Sequence, residues 1–147
     1  MPDAVDPRYE SLLLRNQMCF PLYAAAREIV SRYKPVLDEL DLTYTQYIAM
    51  LVLWEYGTLS VKELGQQLYL DSGTLTPVLK KLEQKGLLDR RRDTADERIL
   101  NVTVTDAGLA LRERALSVPE QMSCEVSLDV EERVCLCKLL HKLLSHE

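Results

Sequence analysis

The 147-residue chain has the length of one domain, or of one domain with helical extensions. Its 47% hydrophobic and 28% charged residues are ordinary for a globular protein, and no apolar run approaches the ~18 residues of a membrane span, so a membrane protein is not expected. The net charge of −5 is unevenly distributed, because the segment from Lys80 to Arg98 carries seven basic and five acidic residues and offers a locally positive surface to phosphate.

The N-terminal third predicts helices interrupted by proline. Apolar residues at irregular spacings of two to four, without glycine, predict a helix over Tyr9–Tyr33. Pro21 should kink or split this helix near Cys19 and Phe20, and Pro35 should break it. A short helix then follows over Pro35–Leu40, with the proline in its first turn.

Two further helices have clear start signals. Thr43 and Thr45 are candidate caps for a helix over Tyr44–Tyr56, which a glycine ends. The run Ser60-Val-Lys-Glu63 fits a capping box, in which the serine and the glutamate each bond to the other's backbone amide. It predicts a helix from Val61 to about Tyr69.

The next helix begins at a polar cap, Asp71 or Ser72, and runs to about Lys85 before a glycine. Its inward stripe is predicted to be Leu75, Val78, Leu79 and Leu82. Pro77 leaves the start of this helix open, because it lies more than one turn in if Asp71 is the cap and at the first position if Thr76 is the cap.

A hairpin and two helices complete the chain. Leu88–Arg92 reads as a strand, DTADE as a turn, and the β-branched run ending at Val104 as the returning strand. Thr105 or Asp106 caps a helix over Ala107–Ser117, which Pro119 interrupts, and an amphipathic helix covers Val130–Leu144.

Two helices joined by a tight turn and followed by a basic hairpin have the layout of a winged helix-turn-helix, which lays its second helix in the DNA major groove. The fold class predicted is therefore mainly α with a small β-wing. The alternative is that these charged residues form the ordinary solvated face of a helical protein that does not bind DNA. The candidate DNA-binding residues are Ser72, Gly73, Thr74, Thr76, Lys80, Lys81, Arg90, Arg91, Arg92, Asp96 and Arg98.

The two ends of the chain carry more apolar surface than a small winged-helix core can cover. A homodimer explains this economically, with residues 8–42 and 107–147 as dimerisation helices and residues 43–106 as the DNA-binding region. A two-fold protein of this kind reads two half-sites about one helical turn apart, so a pseudo-palindromic double-stranded operator is the expected partner.

Cys19 lies in the run NQMCFPLYAAAREI, where a cysteine is by default a small buried hydrophobe. With irregular cysteine spacing and an acidic N-terminus that is no signal peptide, a reducing cytoplasm is expected, where a functional cysteine is more often reactive than structural. A sensor thiol needs access and groups that stabilise its charge. Tyr33 and Tyr44 could do this, but Tyr33 lies too far along the same helix to touch Cys19, so the contact has to come from a partner subunit.

The segments Asp96-Glu-Arg98 and Val104-Thr-Asp-Ala-Gly108 resemble the wing of the MarR family of transcription regulators, with valine in place of the usual leucine. The runs NQMCFPLY, LTYTQY, LWE, LYLDSGTLTPVLKKLE, GLL and DER are similar to its OhrR branch of organic-hydroperoxide sensors. The resemblance covers about residues 16–108 and implies a dimeric repressor. The helix near Ser72 then reads the major groove, Arg98 reads the minor groove, and Asp96 helps to hold the wing.

The same resemblance implies that Cys19 is the residue that peroxide oxidises. Tyr33 and Tyr44 then hydrogen-bond it across the dimer, while Tyr23 and its apolar neighbours favour alkyl hydroperoxides. The stretch VPEQMSC resembles that of the members with a second cysteine, which implies that the Cys19 sulfenic acid condenses with Cys124 of the partner subunit. We expect Cys124 to lie in a polar break between the two C-terminal helices; a free thiol of no consequence is the alternative.

Other readings stay open. Cys135 or Cys137 is an alternative resolving thiol, and packing of one of them at the dimer interface is a further alternative. Two residues apart on a helix, they cannot share a metal. His141 and His146 are read as surface residues, and no metal, cofactor or enzymatic activity is expected. The alternatives in function are a MarR-type repressor released by a small aromatic ligand, a thiol peroxidase using Cys19, and a purely structural helical dimer.

Overall fold

The computed structural model describes residues 6–145, and most of this span is helical. Two short 3₁₀ helices, Pro7–Leu12 and Leu14–Asn16, precede the first α-helix. In chain order the remaining elements are α1 Cys19–Asp38, α2 Tyr44–Tyr56, β1 Thr58–Ser60, α3 Val61–Leu68, α4 Ser72–Gln84, β2 Leu88–Arg92, β3 Leu100–Val104, α5 Asp106–Ala115, α6 Ser117–Glu125 and α7 Val130–Leu144.

Side-chain caps set the start of most helices where the sequence predicts them. Thr43, not Thr45, caps α2 in a capping box with Gln46, and Ser60 and Glu63 form the predicted box at α3. Asp71 caps α4, which places Pro77 at the sixth helical position and settles the alternative that the sequence left open. Proline there removes a single helical hydrogen bond, because it has no N–H to donate.

The prediction for the N-terminal third was wrong in two places. The segment before residue 17 forms 3₁₀ turns rather than the start of a long α-helix, and α1 runs without a split from Cys19 to Asp38. Pro21 is the third residue of α1, where the backbone nitrogen has no acceptor within the helix in any case. Pro35 lies in the last turn of α1, so the backbone hydrogen bond that is lost with its missing N–H is close to the helix end.

The expected break around Cys124 was also wrong. Thr105 caps α5 as predicted, but Pro119 is the third residue of a separate helix, α6, and begins that helix rather than interrupting one. Cys124 lies in the last turn of α6, and the irregular segment starts only at Val126. The final helix, α7, has the predicted bounds.

The core lies under the helix-turn-helix. α2 contributes Met50 and Leu53, and the inward stripe of α4 contributes Leu75, Leu79 and Leu82, all with at most 1% of their surface exposed; Val78 is half-buried. The sheet has the order β1-β3-β2, all antiparallel, with Val102 of β3 paired to Leu59 on one side and Arg90 on the other. This is the predicted winged helix-turn-helix, with β2 and β3 as the wing. Within residues 6–145, no helix combines the length and apolarity needed to cross a membrane.

Candidate functional site

The N-terminal end of α4 forms a polar, exposed surface. The Asp71 carboxylate accepts hydrogen bonds from the Thr74 backbone N–H at 2.9 Å and the Thr74 hydroxyl at 2.8 Å. These bonds, the backbone one first, hold the pKa of Asp71 below its usual range. Ser72 and Gly73 are exposed, and the helix end presents backbone N–H groups, as anion-binding helix termini do.

One cleft of about 470 Å³ joins α4 to the wing. Ser72, Thr76 and Arg98, three of the predicted DNA-binding residues, line it together with Lys62 on α3. Lys62 was missed from the sequence; its only signal is a basic residue in the first turn of the helix before the predicted recognition helix. The cleft is therefore bordered by two cations, Lys62 and Arg98.

The two lysines of α4 face different surroundings. Lys80 is exposed and one turn beyond Thr76, so it continues the polar face of the helix. Lys81, also exposed, instead lines a cleft of about 500 Å³ with Asp38, Asp41 and Lys85. Of the two lysines, Lys80 is the one on the same face of α4 as Thr76, which lines the cleft beside the wing.

An ordered turn forms the tip of the wing. Arg98 donates from Nε and Nη2 to the two carboxylate oxygens of Asp96, each at 2.9 Å, while 90% of its side-chain surface is exposed. The pair lowers the pKa of Asp96 and raises that of Arg98. Asp93, which sequence reasoning missed, accepts from the backbone N–H groups of Ala95 and Asp96, as aspartate does in Asx turns.

The three consecutive arginines of β2 differ in their contacts. Arg90 points inward and donates to the Glu83 carboxylate at 2.6 and 3.0 Å, so it ties the wing to α4 rather than projecting toward a ligand. Arg92 donates to the Glu97 carbonyl at 2.6 Å across the wing turn, and Arg91 is 84% exposed. This alternation follows from the two-residue period of a strand.

Cys19 is the first residue of α1 and is exposed. Its apolar neighbours in the sequence favour a small buried hydrophobic residue, and the structure differs from that default interpretation. The first N–H groups of an α-helix have no acceptor within the helix, so they place partial positive charge beside Cys19. Met18 and Tyr23 expose 72% and 59% of their surface beside it, and the Tyr23 hydroxyl accepts from Arg27 at 3.3 Å.

Tyr33 and Tyr44 meet within one subunit. Their ring centroids lie 4.9 Å apart in an edge-to-face arrangement, and burial, with a smaller effect of Tyr33, raises the pKa of Tyr44. Tyr33 lies fourteen residues beyond Cys19 on the unbroken helix α1, which corresponds to about 21 Å along its axis. The structure therefore brings the two tyrosines together but separates them from the Cys19 of the same chain.

A cavity of about 320 Å³ lies beside Tyr33. Ser123 and Val126, which flank Cys124 in the chain, line it together with Arg133 and Cys137. The region around Cys124 thus lies near the tyrosine pair. Cys124, Cys135 and Cys137 are all exposed, unbonded thiols.

The described residues hold no group of three or more histidine, cysteine, aspartate or glutamate side chains arranged for a metal. His141 is exposed, with its Nδ1 2.8 Å from the Cys137 carbonyl oxygen. His146 lies outside the described residues.

Both ends of the chain expose large apolar side chains. On the N-terminal segment and α1 these include Leu12, Phe20 and Leu22, and on α7 they include Val134 and Leu139, each exposed by 40% or more. Exposed apolar side chains in this number on the same elements are typical of an interaction surface.

The chain is similar to known regulators over most of its length. Residues 31–114 match the family described as transcriptional regulator SarA/Rot. An organic hydroperoxide resistance transcriptional regulator of Bacillus subtilis is 50% identical over 115 residues, which are 78% of each chain. The chain belongs to the MarR/SarA family of winged-helix transcription regulators, in its organic-hydroperoxide branch. The sequence prediction of family and fold is thereby confirmed, and the family is one of regulators rather than enzymes.

Three solved structures of AbfR, a protein of Staphylococcus epidermidis, give the same fold. Reduced AbfR bound to DNA is 34% identical, with a TM-score of 0.77 over 95% of this chain and 97% of that one. Disulfide-formed AbfR is 35% identical, with a TM-score of 0.62 over 95% and 94%. Overoxidised AbfR bound to DNA is 35% identical, with a TM-score of 0.76 over 95% and 98%. The chain is therefore closer in shape to the two DNA-bound forms than to the disulfide form.

Proposed function

We propose that this chain is a homodimeric repressor that releases pseudo-palindromic operator DNA when an organic hydroperoxide oxidises Cys19. The observation that carries the proposal is the location of the Tyr33–Tyr44 pair. It lies beside the segment around Cys124 but about 21 Å along α1 from the Cys19 of its own subunit. A thiol delivered by a second subunit would meet both the tyrosines that stabilise it and the cysteine that resolves it.

The dimer supplies that thiol. The exposed apolar side chains on the N-terminal segment, α1 and α7 are the surface that a second copy of the chain covers. In this proposal residues 8–42 and 107–147 form the dimerisation region, and residues 43–106 bind DNA.

The first chemical step is a two-electron oxidation. The Cys19 thiolate attacks the peroxide, the O–O bond breaks, and the sulfur becomes a sulfenic acid, while the departing alkoxide takes a proton from solvent and leaves as an alcohol. Tyr33 and Tyr44 donate hydrogen bonds to this thiolate from the partner subunit. Met18, Phe20 and Tyr23 surround it with apolar surface that suits an alkyl group better than hydrogen peroxide.

The second step links the subunits. The Cys124 thiolate attacks the Cys19 sulfur, the S–O bond breaks, and the hydroxide that departs takes a proton from solvent and leaves as water, so a disulfide joins the two chains. The poorer fit to disulfide-formed AbfR than to its DNA-bound forms supports a change of shape on disulfide formation. Such a change would move the two recognition helices out of register with half-sites one turn apart.

The DNA-binding surface is the exposed N-terminal end of α4 together with the wing. Ser72, Gly73, Thr74 and Thr76 approach base edges and phosphates, Lys80 and Lys62 contact phosphate, and Arg98 enters the minor groove. Arg91 lies on the exposed face of the wing strand, whereas Arg90 acts indirectly by fixing the wing to α4. Since the target is genomic DNA, the site of action is the cytoplasm.

Non-reducing gel mobility and intact mass test the redox step. Reduced wild type, Cys19→Ser and Cys124→Ser are each treated with about one equivalent of cumene hydroperoxide, with Cys137→Ser as the matched control. We expect a covalent dimer in the wild type and the control, and none in the other two. A covalent dimer that persists in Cys124→Ser but is lost in Cys137→Ser would reassign the resolving thiol, and an inert Cys19 would leave a ligand-released regulator.

A further inference from the structure

Two arginines from different helices hold the segment that carries Cys124. Arg133, on α7, donates to three backbone carbonyls, and Arg32, on α1, donates to a fourth. The acceptors are the carbonyl oxygens of Ser123, Val126 and Leu128, at 2.8, 3.0 and 2.9 Å from Arg133, and of Glu125, at 2.5 Å from Arg32. All four acceptors lie within four residues of Cys124.

These bonds replace a cap that the helix lacks. The last four carbonyls of an α-helix have no partner within the helix, and α6 ends at Glu125, followed by an extended C-cap, Val126, without a capping glycine. Charged donors from α1 and α7 satisfy two of these carbonyls, those of Ser123 and Glu125, and two more just beyond the helix. Arg32 and Arg133 thus hold the backbone on both sides of Cys124.

Arg32 and Arg133, which together form a clamp on the end of α6, lie beside Tyr33, and Arg32 is itself held in place. Glu28, one turn before Arg32 on α1, accepts a hydrogen bond from the Arg32 Nε at 3.1 Å. Arg32 is the chain neighbour of Tyr33, and Arg133 lines the same 320 Å³ cavity as Tyr33. The end of α6 is thus connected, through Arg32 and Arg133, to the tyrosine beside which the partner's sulfenic acid would form.

We propose that Arg32 and Arg133 are positioning residues that restrain Cys124 and limit the rate at which it resolves the oxidised Cys19. The proposal rests on the function proposed above and concerns its second step only. Formation of the S–S bond, about 2.05 Å long, requires the Cys124 sulfur to close onto the Cys19 sulfur of the partner subunit while water leaves. The four charged hydrogen bonds oppose the displacement of the turn that carries this sulfur.

The test separates the two chemical steps. Sulfenic acid formation is followed by dimedone labelling in a Cys124→Ser background, and disulfide formation by rapid quench and non-reducing gel after excess cumene hydroperoxide. We compare Arg133→Gln, Arg133→Lys and Arg32→Gln with Arg112→Gln, an exposed arginine on α5 that serves as the matched control. Backbone hydrogen exchange of residues 122–129 in the reduced proteins gives a readout that needs no peroxide.

We expect Arg133→Gln to form the disulfide on the order of tenfold faster, the factor that loss of a charged hydrogen bond corresponds to. Its sulfenylation rate should equal that of the wild type, and exchange of residues 122–129 should rise. The rate of disulfide formation in Arg133→Lys should lie between those of the wild type and Arg133→Gln, since one ammonium reaches fewer of the three carbonyls. Arg112→Gln should match the wild type in all three measurements.

Equal or slower disulfide formation in Arg133→Gln, in a background where the wild type does form the Cys19–Cys124 disulfide, overturns the clamp and leaves the proposed function standing. Unchanged exchange of residues 122–129 also overturns it. If the wild type forms no such disulfide, the proposed function fails, and the clamp fails with it as a gate for that step.

Discussion

The edge-to-face contact between Tyr33 and Tyr44 joins the long helix α1, which starts at Cys19, to helix α2 at the base of the DNA-binding region. A third aromatic ring, that of Tyr47, lies 6.0 Å from Tyr33 and packs against Trp54 in turn. Packed aromatic rings thus connect the Tyr33–Tyr44 contact to the core under α4. In the proposed mechanism, oxidation beside the tyrosines would bias the position of the DNA-binding elements through these contacts.

Tyr33→Phe and Tyr44→Phe keep the rings and remove only the hydroxyls. Because a hydrogen bond to a charged group is worth about 1.5–3 kcal/mol, we expect each to slow Cys19 oxidation by cumene hydroperoxide about tenfold, with little change in the melting temperature. Stopped-flow or dimedone-trapping kinetics would measure this. Tyr56→Phe, at the exposed end of α2, is the control. Oxidation at the wild-type rate in both variants would remove the tyrosines from the thiol site.

Arg98→Ala tests the wing. The side chain is 90% exposed, and Asp96 holds its guanidinium at the tip of the wing, where an arginine can enter a narrow groove. We expect operator affinity to fall about tenfold or more and the slope of log affinity against log salt to decrease by about one, while Cys19 oxidation is unaffected. Asp96→Asn should give a smaller loss through a less ordered Arg98. An affinity equal to that of the wild type, measured by fluorescence anisotropy beside Arg112→Ala, would exclude the wing from the interface.

Local signals in the sequence located most of the helices. The boxes at Thr43 and Ser60 satisfy backbone N–H groups with side chains only three residues away, so the structure reproduces them where the pattern predicts. The amphipathic pattern and its ends likewise fixed α7. The prolines at positions 21 and 119 misled because their effect depends on where the helix begins, and each proved to be the third residue of its helix.

Contacts between elements could not be read from the pattern. Arg90 and Glu83 lie seven residues apart on a strand and a helix, and their pairing turns Arg90 toward α4 while Arg91 stays exposed. Arg32 and Glu125 lie 93 positions apart, so the hold on the end of α6 becomes visible only once α1 and α6 pack together. The place of Lys62 in the candidate interface likewise becomes visible only once α3, α4 and the wing lie together.

Glu83→Gln should make the stability of the winged region less dependent on acid pH. The hydrogen bonds from the Arg90 guanidinium are the main reason that the pKa of Glu83 is lowered. A carboxylate with a lowered pKa in the folded state contributes stability above the pKa of the unfolded state, about 4.3, and loses this contribution as the pH falls below it. The melting temperatures of wild type and Glu83→Gln should therefore differ at pH 7 and converge as the pH falls below about 4.3 and through the lower folded-state pKa. A constant difference across that range would mean that the pair has no part in acid unfolding.

Gly108→Ala should destabilise the fold although it adds a single methyl group. A Cβ at this position would lie 2.1 Å from the Leu87 carbonyl oxygen and 2.7 Å from the Val104 Cγ2, and the first of these is backbone that cannot rotate away. The carbonyl of Gly108 also accepts the Trp54 Nε1–H at 2.8 Å, so any shift of α5 strains its contact with α2. We expect a loss of about 2 kcal/mol or more in urea unfolding, with Ala110→Ser on the exposed face of α5 as the control. Equal stability of the two variants would mean that the chain around Leu87 can move aside, and the glycine of the wing motif would then need another explanation.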